Sequence, residues 1–230
     1  MTSVRYDKFR LLGLNYCNYL CAKHMISIDT FLTIREQYGH FASWAVWAEE
    51  GVKPKDNIGD LSVFDLELNP SILHTLHAKA ILLGLNISRA IQRPLGNFHD
   101  TRSQATDYKI RYALRGTDYW GCYMTDIIKD FEEKSSGKMT NFLRSHRDFE
   151  KENILKLRQE IETLDVVNPL LVVFGKDAEM IAKRNLSDEF EIVCIPHYAT
   201  YTSKEKYRSQ LEEILPSLNI IDKDAYQNSL

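Results

Sequence analysis

The chain has 230 residues, 44% of them hydrophobic and 27% charged, with a formal net charge of −3. Such a chain suits one large globular domain, or one domain with an added subdomain, and it is not basic overall, so polyanion binding would need a local patch. No apolar stretch approaches the roughly 20 residues of a membrane span, and residues 1–10 are too polar for a signal peptide, which points to a cytoplasmic protein with no membrane partner. The four cysteines are too scattered for a disulfide framework. Cys17 and Cys21, one helical turn apart, are read as half-buried thiols rather than as a metal pair.

Residues 1–50 carry apolar side chains at spacings of three and four (Leu11, Leu12, Leu14, Leu20, Phe31, Ile34, Phe41, Trp44, Val46, Trp47), which predicts helices. Residues 49–59 hold the Gly, Pro and Asn of a loop. Residues 80–85 form a short apolar run suited to a buried strand. The loop after it opens a turn or helix at Ser88, broken at Pro94 and Gly96. A strand is expected within residues 119–129, ending near Asp126. Residues 148–164 repeat Phe149, Ile154, Leu157, Ile161 and Leu164 on one helical face. Residues 170–174 read as a buried strand, Gly175 turns it into a helix, residues 191–195 form the last strand, and residues 204–215 an amphipathic helix.

Strands alternating with helices argue an α/β fold with a parallel sheet between helical layers. Residues 1–79 are expected to be an N-terminal helical extension packed on a domain of residues 80–230.

The strand-end loops carry the chemistry. Gly84-Leu85-Asn86-Ile87-Ser88 resembles the first motif of the uracil-DNA glycosylase superfamily, nearest to the Gly-Ile-Asn-Pro-Gly form of the mismatch-specific branch. Gly96-Asn97-Phe98 falls where that family carries the aromatic residue that stacks on the target base. Met124-Thr125-Asp126-Ile127-Ile128-Lys129 is similar to a Thr-Asn-Val-Val-Lys segment whose Asn reads the base edge. Residues 170–178 match the strand, Gly and helix ahead of the last motif, and Ile195-Pro196-His197-Tyr198 stands where the family has a His-Pro-Ser loop. Ile87 and Ser88 replace a Pro and a Gly, Asp126 replaces the Asn, and Tyr198-Ala199 follows His197 in place of Pro-Ser.

The resemblance spans residues 80–215. It implies a three-layer sandwich with a short parallel central sheet, and a monofunctional glycosylase that flips a base from single-stranded or mismatched DNA and uses neither metal nor redox cofactor. The rival reading is a protein that binds nucleic acid or a nucleotide on the same fold without chemistry. A third is a hydrolase of free nucleosides or nucleotides.

On the leading reading, Asn86 holds the attacking water and His197 donates a hydrogen bond to the departing base. Phe98 stacks on the base, and Gly84, Leu85, Ser88, His99 and Tyr198 line its pocket. An ionised Asp126 only accepts hydrogen bonds, so an amino-bearing or modified base is expected. Arg89, Arg93, Arg102 and Arg111, in a locally basic run with Lys109 and Arg115, would grip phosphates. Structural roles compete at each position. Asn86 can cap a helix, His197 can be a satisfied structural histidine, Phe98 a core residue, and the basic run a solvated face. His74 and His77 supply only half a metal site.

Overall fold

The structure is a computed structural model that describes residues 26–129 and 131–218. The periodic residues before Ile26, and the Cys17–Cys21 pair, lie outside the described residues. In chain order the elements are α1 (Ile28–Gln37), β1 (Ser43–Trp44), two short 3-10 turns, β2 (His77–Asn86), α2 (Tyr108–Leu114), β3 (Cys122–Ile128), α3 (Ser136–Ser145), α4 (Arg147–Thr163), β4 (Leu170–Phe174), α5 (Lys176–Leu186), β5 (Ile192–Ile195) and α6 (Lys204–Ile214). They form one five-stranded sheet of order β1-β3-β2-β4-β5. The last four strands in sequence are parallel, and β1 adds to the β3 edge antiparallel, pairing Ser43 with Met124 and Trp44 with Tyr123.

Alternation along the strands divides the interior in two. Ile81 and Leu83 of β2, Tyr123 of β3, and Leu171 and Val173 of β4 pack against α1, α4 and α5. Ala80, Leu82, Met124, Leu170, Val172 and Phe174 face the other way, onto α2 and α6. Helices thus cover both faces of the sheet, and the strands read as continuous apolar runs because neither face meets water. Ser27 starts α1 and Ser203 starts α6, each accepting a backbone N–H at its third helical position.

The structure departs from expectation at four points. Residues 41–47 are not helical, although Phe41, Trp44 and Trp47 keep helical spacing; Trp44 lies in β1, edge-on to Tyr123 at 4.8 Å. The sheet is mixed rather than purely parallel, because this segment adds its antiparallel edge. Of the turn or helix expected from Ser88, the helix does not form: residues 87–107 are an irregular loop of bends and turns, so Asn86 caps nothing. The division at residue 79/80 falls inside β2, and residues 26–79 supply a strand and part of both cores.

Candidate active site

The carboxyl ends of β2, β3, β4 and β5 open into one cleft of about 790 Å³. Its walls include Gly84, Leu85, Asn86 and Ser88 from the end of β2, Phe98 from the following loop, Asp126 from β3, and His197 with Tyr198 from the loop after β5. Eight of the nine residues expected to catalyse or to line the base pocket therefore meet around one space. The exception is His99, which is buried behind the cleft between Trp47 and Phe64, with Nδ1 3.2 Å from the Ile58 carbonyl. Burial lowers its pKa to about 4. It is a neutral core histidine, not a pocket residue.

Asn86 ends β2 and ties two loops together. Its Nδ2 donates to the carbonyls of Ile87, Phe131 and Glu133 at 2.9, 3.0 and 2.8 Å. Three carbonyls on the nitrogen fix the amide's orientation, and Oδ1 takes no hydrogen bond among the described residues. That oxygen is left to accept one from water or a ligand.

Phe98 is 5% exposed and sits in the left-handed region at φ 61°. A side chain there costs of order 1–3 kcal/mol and must be held by its surroundings. Both of its backbone groups are held: Trp47 Nε1 donates to its carbonyl at 3.1 Å, and its N–H donates to Asn97 Oδ1 at 3.1 Å. The ring lies 6.0 Å from Phe174 and 6.2 Å from Tyr198, so three aromatic rings meet at one end of the cleft.

Asp126 is 3% exposed and pairs in register with Gly84 on the neighbouring strand. Its Oδ1 lies so close over Gly84 that a Cβ built there would overlap it. Its Oδ2 accepts from Asn97 Nδ2 at 2.7 Å. Burial raises its pKa to about 7, against the opposing pull of that hydrogen bond and of Lys129. Asp107, at the start of α2, is likewise pushed up to about 7 by burial and accepts from the Asp100 N–H at 2.8 Å.

His197 stands exposed at the mouth, with its ring stacked on Tyr198 at 4.4 Å. The Ala199 N–H donates to its Nδ1 at 3.1 Å. Nδ1 is therefore the acceptor, and the neutral ring carries its proton on Nε2. The protein packed around it lowers its pKa, favouring that neutral form. Gly175, at φ 85°, gives the loop room: a Cβ there would stand 3.3 Å from the His197 Cβ. Lys109 fastens the loop from below, Nζ donating to the Thr200 carbonyl at 2.9 Å.

The basic run does not form one surface. Arg89 and Arg102 reach the cleft, Arg102 paired with Asp100. Arg93 donates to the Gly59 carbonyl at 2.7 Å. Arg111, 1% exposed, donates to the carbonyls of Ala48, Pro54 and Asp56 and is a structural clamp rather than a phosphate contact. Arg115 pairs with Glu49. Lys134 and Lys176 at the mouth supply charge that the sequence reading passed over, as it passed over Asn97 and Asp107. No signal in the sequence marked the Asn97 amide, but Asp107 could have been noticed as the acid that opens α2.

Among the described residues no group of three or more His, Cys, Asp or Glu side chains is arranged to hold a metal ion, and no helix is long and apolar enough to cross a membrane. Comparison with protein-family models, curated proteins and solved structures gives no match. The class that fold and site define is an α/β protein with a cleft at the carboxyl ends of its parallel strands.

Proposed function

We propose that this cleft binds a nucleobase turned out of a strand and hydrolyses its N-glycosidic bond, as the resemblance to uracil-DNA glycosylases implies. The observation that carries the reading is the meeting of Asn86, Phe98, Asp126 and His197 in one space, although they are far apart in the sequence. Breaking the bond sends its electron pair to the base and leaves an oxocarbenium-like sugar, which water captures while its proton leaves to solvent. His197 Nε2–H is a neutral donor for the oxygen on which the base's charge develops. Asn86 Oδ1 orients the water, and because an amide is no base the reaction is expected to be slow. The Phe98 ring, already locked, offers a stacking face. The test is excision from single-stranded and mismatched oligonucleotides carrying uracil, hypoxanthine, xanthine or modified cytosines. Cleavage that His197→Ala lowers on the order of 100-fold supports the reading; no cleavage of any of them overturns it.

The second reading is a base- or nucleotide-binding protein without chemistry. The dispersal of the basic run favours it, since Arg93, Lys109, Arg111 and Arg115 are engaged with protein groups and few cations remain for a long phosphate track. Salt dependence separates a strand from a mononucleotide. A slope of log K against log salt near −0.7 per neutralised phosphate identifies a gripped single strand.

A further inference from the structure

Asp126 is a buried carboxyl that forms no ion pair among the described residues. Lys129, the nearest basic side chain on its own strand's extension, is committed elsewhere: its Nζ pairs with Glu160 of α4 and donates to Thr125 Oγ1 at 2.6 Å. Tyr123 also donates to Glu160, at 2.6 Å, so that acid is already served from the other side of the sheet. Asp126 shares the cleft wall with Tyr198, whose hydroxyl is kept protonated by burial and by the negative charge of Asp107, Asp126 and Asp100. Among the described residues the only hydrogen bond to the Asp126 carboxyl comes from the neutral Asn97 amide. An ion buried in this way is costly, and the group neutralises instead.

We propose that Asp126 reads the base edge as a neutral carboxylic acid whose polarity is set by Asn97, so that the cleft selects bases with a keto oxygen beside a ring N–H. This rests on the base-binding reading above. Asn97 Nδ2 donates to Oδ2, which makes Oδ2 the carbonyl-like acceptor and leaves the proton on Oδ1, the oxygen over Gly84. Oδ1–H then donates to the keto oxygen, and the second lone pair of Oδ2 accepts the ring N–H. An Asn presents the same donor and acceptor side by side. The carboxyl thus does the work of the amide it replaces while it holds its proton. Once ionised it offers two acceptors, repels the keto oxygen and favours an amino group. Asn97 cannot turn to reverse the polarity, because its Nδ2 also donates to the Phe41 carbonyl at 2.6 Å and its Oδ1 holds the Phe98 N–H. The raised pKa of Asp126 puts the change near neutrality.

The experiment measures binding of the whole protein to single-stranded oligonucleotides that carry one 2′-fluoro-arabino-uridine or -cytidine, whose glycosidic bonds resist cleavage. The affinity ratio of uracil to cytosine is expected to fall about tenfold or more between pH 5.5 and 8.5, the worth of one bidentate base contact. In Asp126→Asn the ratio stays flat and high. In the ligand-free protein the Asp126 carboxyl carbon, assigned by its loss in Asp126→Asn, titrates near neutrality, and its midpoint rises further in Asn97→Ala. A pH-independent ratio in the unaltered protein, or a carboxyl that titrates in the ordinary range near 4, overturns this inference and leaves base binding standing. Absence of binding to either oligonucleotide at both pH values overturns the two together.

Discussion

At Gly84 the missing side chain admits the Asp126 carboxyl, whose Oδ1 fills the place of a Cβ. Gly84→Ala is therefore expected to displace Asp126, to lower stability by about 1–3 kcal/mol, and to flatten discrimination between bases. Urea denaturation and oligonucleotide binding measure the two effects separately. Asn86 makes a contrasting case. Replacing it by Asp looks like the gain of a general base, but it points a carboxylate at three carbonyl oxygens. The expected outcome is a lower melting temperature and no faster excision. An Asn86→Asp variant as stable as the parent would show that the clamp does not matter.

Among the elements, α2 holds the site from behind. Its Lys109 fastens the His197 loop and its Arg111 gathers three carbonyls from residues 48–56. Arg111→Ala orphans those carbonyls and is expected to cost about 3 kcal/mol or more in urea denaturation, while the salt slope of nucleic-acid binding stays unchanged. A smaller slope would return Arg111 to the phosphates. This helix was poorly legible in the sequence, because a cation's charge does not say whether it meets a phosphate or a buried carbonyl. Strands β2 and β4 were legible because burial on both faces demands an unbroken apolar run. Residues 41–47 misled because Phe41, Trp44 and Trp47 repeat every three residues, as in a helix, whereas the chain there is the end of a turn, a two-residue strand and irregular backbone. That Asn86, Asp126 and His197 lie at or within two residues of the carboxyl ends of strands could be read from the apolar runs that precede them. Asn97 could not, since a single amide in a loop has no pattern and its partners lie 56 and 29 residues away.

For the whole molecule, the buried titratable groups set a dependence of stability on pH. Asp107 and Asp126 are raised from 3.8 to about 7, so the stability tied to their neutral forms is full below pH 3.8 and is lost as pH rises through 7. His99 acts in the opposite sense, its pKa lowered from 6.5 to about 4, so its contribution is lost as pH falls from 6.5 toward 4. Of these three groups, the two carboxyls are the ones that act above pH 6.5. The melting temperature is expected to fall between pH 6.5 and 8, and the fall to shrink in the Asp107→Asn/Asp126→Asn double variant. A flat profile in the parent protein would contradict both assignments. The antiparallel edge strand has a further consequence, in time rather than in space. Ser43 and Trp44 pair with residues about 80 positions later. At a synthesis rate of roughly 5–20 residues per second, β1 waits on the order of 4–16 s for its partner strand to be made. During that interval Trp44 lacks the Tyr123 ring it later packs on, so apolar surface stays exposed on the nascent chain at the very segment that later braces Phe98.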